Sequence, residues 1–68
     1  MKLSQDQNVI VYQTGSNLID GLKCKVVGIA NYFGDGVPGN IYILKPVDGR
    51  LVEGYECFTL SDACLKKV

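Results

Sequence analysis

At 68 residues the chain has room for one domain, and so short a domain hides only about 60% of the surface that its unfolded form exposes, so its core is marginal. Seven Lys plus Arg balance seven Asp plus Glu, a zero formal charge that argues against a surface built as a whole to neutralise phosphate. Nucleic acid is set aside as a partner on that ground, the only close basic pairs along the chain being Lys66-Lys67 and Lys23 with Lys25.

Val9-Ile10-Val11-Tyr12 is a β-branched and aromatic run closed by the turn cluster Thr14-Gly15-Ser16-Asn17, and it predicts a first strand. Leu18 to Asp20 connects, with Ser16 or Asn17 placed to begin a helical turn, and Gly21 releases the chain into residues 22–30. There Leu22, Cys24 and Val26 alternate with Lys23 and Lys25, the pattern of a half-buried antiparallel strand, until Gly28 marks a bulge or bend. Residues 31–40 hold three glycines and a proline, which forbid a regular helix and predict a loop with Tyr32 and Phe33 at its base.

Ile41-Tyr42-Ile43-Leu44 follows as a strand. Asp-Gly occurs three times, at 20-21, 35-36 and 48-49, and Asp48-Gly49 between apolar runs predicts a tight hairpin whose return strand is residues 51–57. Ser61 is placed to cap one short helical turn, and Leu65-Lys66-Lys67-Val68 alternates again as a closing strand. Leu22, Val26, Ile41, Ile43, Tyr55, Leu60 and Leu65 form the expected core.

Cys24, Cys57 and Cys64 are an odd number, the amino terminus is polar, and no apolar run approaches the ~20 residues of a membrane span. A reduced, cytoplasmic protein with cysteines packed as small hydrophobes is expected, with no metal, because paired cysteines and histidines are both missing. No cofactor is expected.

The Gly21-Leu22-Lys23-Cys24-Lys25-Val26 opening, the Gly36…Gly39-Asn40-Ile41 re-entry, the Asp-Gly hairpin and the Tyr55…Phe58…Leu60…Leu65 ending resemble small barrels of the Src-homology and Tudor kind. They are also similar to KOW segments of ribosomal and transcription proteins. The resemblance spans residues 21–68 and implies an all-β fold: a single five-stranded antiparallel Src-homology-like barrel, residues 1–68, with one short helical turn near the carboxyl terminus. For function it implies at most a KOW-like nucleic-acid binder, although the basic residues such segments use are sparse here.

Three strands are apolar on both faces, more than an isolated barrel of this size buries. The surplus predicts an interface formed by Val9, Ile10, Val11, Tyr12, Tyr42 and Leu44, used for self-association or for docking on a larger protein. The inventory for catalysis is poor: no histidine, no nucleophile-elbow serine or cysteine, and aspartates placed in turns. A non-enzymatic interaction protein is therefore expected, resembling the small accessory proteins of phages and mobile elements that inhibit host machinery. The alternative is a homo-oligomer binding a nucleotide or similar anion, with Gly34 and Gly36 of the loop presenting backbone N–H groups, Tyr32 and Phe33 stacking a base, and Lys23, Lys25 or Arg50 supplying charge.

Overall fold

The computed structural model describes residues 2–68 and contains five strands in one antiparallel sheet: β1 (Asn8–Val11), β2 (Lys23–Asn31), β3 (Ile41–Pro46), β4 (Phe58–Ser61) and β5 (Leu65–Lys67). Their order across the sheet is β4-β3-β2-β1-β5. A single 3₁₀ turn, Asp62–Cys64, joins the two outermost strands. In a flat sheet those strands would lie about 19 Å apart, whereas the four Cα steps from Ser61 to Leu65 reach at most about 15 Å. The sheet must therefore curl, bringing its two ends together around one core.

Alternation decides what enters that core. Val9 and Val11 of β1, Cys24 and Val26 of β2, Tyr42 and Leu44 of β3 and Leu65 of β5 are buried, joined by Leu22 and Leu3. Leu3 comes from a polar stretch that carries no strand signal; the backbone brings it in by pairing along β2, with Asp6 N–H donating to the Val26 carbonyl at 2.7 Å and Val26 N–H to the Gln7 carbonyl at 2.9 Å. Its own amide donates to the buried Tyr42 hydroxyl at 3.1 Å.

The expected strands 9–12, 22–30 and 41–44 are present with shifted ends, as are the Gly28 bulge, the Ser61 cap and the closing strand. Across the bulge the pairing slips between Val26 and Gly28, where a Cβ on the glycine would meet the Ile43 side chain at 3.4 Å. Ser61 Oγ accepts from Ala63 N–H, as a cap should.

Three expectations are corrected. The return strand after Asp48-Gly49 is residues 58–61, not 51–57: Leu44 pairs with Phe58, and the intervening segment makes only its own small hairpin, Val52 with Tyr55. The tight turn there is Glu53-Gly54, both at positive φ (50° and 84°), while Asp48 stays outside that region and its carboxylate binds Arg50 instead. Tyr55 accordingly stands outside the core, 70% exposed. The inward face of β3 is also the opposite of the expected one: Tyr42, Leu44 and Pro46 point in, and Ile41 and Ile43 are half-buried. Lys45 fixes that parity, because an unpaired ammonium cannot be placed in so small an interior.

Candidate functional site

The sheet's outer face gathers what the linear sequence disperses. Lys23 and Lys25 alternate with buried Cys24 and Val26, Lys45 lies between buried Leu44 and Pro46, and Lys66 follows buried Leu65, so all four lysines stand on the side away from the core. Register then aligns them. Lys25 is directly opposite Lys45, and Lys23 is opposite Ile10, whose other neighbour is Lys66. Asn8 and the exposed Tyr12 continue the same face along β1. Among the described residues none of these four lysines makes an ion pair.

Four of the seven carboxylates, Asp20, Asp35, Asp48 and Asp62, sit in the connections and are occupied. Asp20 accepts from the amide and hydroxyl of Thr14, and these bonds hold it below the usual carboxylate range. Asp35 accepts from the Tyr32 hydroxyl, which lowers the carboxyl and pushes the phenol up to about 12. Asp48 accepts from the Arg50 amide at 3.0 Å, Nε at 2.9 Å and Nη2 at 2.7 Å, so the guanidinium lowers it as well. Asp62 accepts from Asn40 at 3.1 Å. These four acidic groups are thus held within the connections, while the lysines stand on the sheet face.

The residues expected to hold an anion do not converge. Tyr32, Phe33, Gly34 and Gly36 belong to the β2–β3 connection, where the Tyr32 ring carries Lys2 Nζ 5.1 Å from its centroid and its hydroxyl is committed to Asp35. Phe33 is 64% exposed and covers Gly39, at which a Cβ would come within 3.1 Å of the ring. Lys23 and Arg50 meet at a different place, a shallow groove of about 290 Å³ lined also by Gly21, Leu22, Val47 and Asp48. Arg50 already donates Nε and Nη2 to Asp48, so an anion entering this groove would meet a guanidinium whose charge a carboxylate offsets.

The interface expectation is corrected by burial and by topology. Val9, Val11, Tyr42 and Leu44 have no exposed surface, and β1 and β3 each lie between two strands, so neither offers a free edge. The apolar surplus is absorbed within the domain by Leu3 and by the curl of the sheet. Ile10 is half-buried and Tyr12 alone of that set is exposed. Of the cysteines, Cys24 is buried, with burial pushing its thiol up to about 11, Cys64 is half-buried and Cys57 is exposed.

Two residues escape a linear reading. Asn40 is wholly buried: its Oδ1 accepts from Phe33 N–H at 2.7 Å, and its Nδ2 donates to the Gly34 carbonyl at 2.8 Å and to Asp62, tying the β2–β3 loop to the 3₁₀ turn. Lys45 looks isolated until its cross-strand partner is known; its position between Leu44 and Pro46 was the available signal. No family model matches the chain, and no curated protein or solved structure matches it.

Proposed function

We propose that the chain is a non-enzymatic binding module whose partner is anionic and docks on the outer face of the sheet. The observation that carries this reading is Lys25 facing Lys45. Like charges directly opposite on neighbouring strands are destabilising, and a domain of this size has little stability to spare. A ligand of opposite charge gives that arrangement a use.

The dispersal of the remaining polar groups favours binding over catalysis. Asp20, Asp35, Asp48 and Asp62 are each held by a neighbour, and among the described residues no three metal-ligating groups come together. An accessory or inhibitory role toward a larger assembly fits a small rigid module of this kind. The nucleotide-binding homo-oligomer has less behind it, because its stacking aromatics lie in the β2–β3 connection whereas its basic groups lie at the start of β2 and in the β3–β4 connection.

Capture from lysate on three immobilised baits tests the reading: wild type, Lys25→Gln/Lys45→Gln and Leu51→Ser/Tyr55→Ser. The partner should be retained by the first and third and lost from the second. Loss from the third alone would move the docking surface to the β3–β4 connection and end this proposal.

A further inference from the structure

Granted the binding-module reading, we infer that the lysine face is a site for the phosphate backbone of a single-stranded nucleic acid. Zero net charge hides a local concentration: four lysines stand on the face formed by Asn8, Ile10, Tyr12, Lys23, Lys25, Lys45 and Lys66, while Asp20, Asp35, Asp48 and Asp62 are each held by a neighbour in the connections. What an approaching polyanion meets is this local field, since at physiological ionic strength charges beyond about 8 Å are screened.

The type of cation separates nucleic acid from an acidic protein. Protein interfaces are enriched in Arg and aromatic residues and depleted in Lys, because a strongly hydrated ammonium is poorly suited to a dry contact. A row of ammonium groups is well suited to phosphate oxygens, where the contacts stay wet and act as point charges. Arg50, the chain's one arginine, is turned away to Asp48.

Geometry narrows the class further. Lys23 and Lys25 are two residues apart on one strand, about 7 Å, and Lys66 lies two strand spacings from Lys23, about 10 Å. The face carries no helix or long loop able to enter a groove and read base edges, so contacts would be to the backbone and tolerant of sequence. Tyr12 is exposed on the same face, two residues from Ile10, and supplies one stacking surface for an unpaired base.

Fluorescence anisotropy with labelled oligothymidylate of about 20 nucleotides tests this, beside a duplex of the same length and poly-glutamate. Four phosphate contacts on a single strand predict about a twentyfold loss of affinity between about 50 and 150 mM salt. Lys25→Gln/Lys45→Gln should cut that dependence to about fivefold, and Tyr12→Ala should weaken single-strand binding about tenfold while leaving the duplex unchanged. Circular dichroism confirms that the variants are folded. Affinity for oligothymidylate that ignores salt or the lysine substitutions overturns the inference. Poly-glutamate bound as tightly as the oligonucleotide also overturns it and leaves the binding module standing with an acidic protein partner. If none of the three polyanions binds and lysate capture is also indifferent to Lys25 and Lys45, both readings fall.

Discussion

Asn40 illustrates how much one side chain can organise in a domain of this size. It satisfies a backbone donor, a backbone acceptor and a carboxylate across two connections with no surface left to water. Asn40→Ala leaves the Phe33 amide and the Gly34 carbonyl without partners, and should cost about 3 kcal/mol, read as a lower urea midpoint with an unchanged slope. The loop aspartates set the pH response. Asp20, Asp35 and Asp48 titrate lower in the folded chain than their ordinary value of 3.8, so their contribution is complete above that value and is lost as pH falls through the folded pKa values. Urea midpoints should therefore be flat near neutrality and decline below about pH 4, and Asp48→Asn should remove part of the decline. These roles were only half legible in the sequence. Asp-Gly pairs mark turns by composition, but which donor each carboxylate finds depends on groups such as Tyr32 and Thr14 that the folded loop brings near.

Strand existence was legible in the runs 9–12, 22–30 and 41–44, because β-branched and alternating residues announce themselves locally. Facing was not. Ile41-Tyr42-Ile43-Leu44 is apolar at every position, so alternation says nothing, and Lys45 was the one residue able to fix the parity. The hairpin was misplaced for a related reason: Asp48-Gly49 has the composition of a tight turn, yet the chain keeps β3 going to Pro46 and makes the turn with two positive φ angles at Glu53-Gly54. At this scale the lysine face makes its own forecast. Lys45→Glu replaces a cross-strand repulsion with an attraction to Lys25, worth up to about 1 kcal/mol, and should raise Tm by a few degrees. The same substitution should weaken polyanion binding and flatten its salt dependence. A variant that gains stability as it loses affinity for its ligand is the signature of a surface shaped by its partner, and a fall in Tm would remove that interpretation.

Across the whole molecule, the surplus of apolar residues proved to be internal material. The sheet curls, Leu3 closes it, and all three double-sided strands lie between neighbours. The expectation of association through their edges loses its physical basis, and light scattering should return a monomer mass of 7.4 kDa in the absence of a polyanion. A concentration-dependent dimer mass would return attention to the exposed Leu51 and Tyr55. The pairing of β1 with β5 has a further bearing, on the order of events during synthesis. The partner of β1 on one side, β2, follows it closely in the chain, but its other side is completed only by Leu65–Lys67, the last of the five strands to be made. Until then the nascent chain shows an unpaired edge beside Val9 and Val11, with the curl unclosed. Pairing between sequence-distant strands is slow, typically milliseconds to seconds, so the final strand acts as a latch that converts an adhesive intermediate into a closed domain.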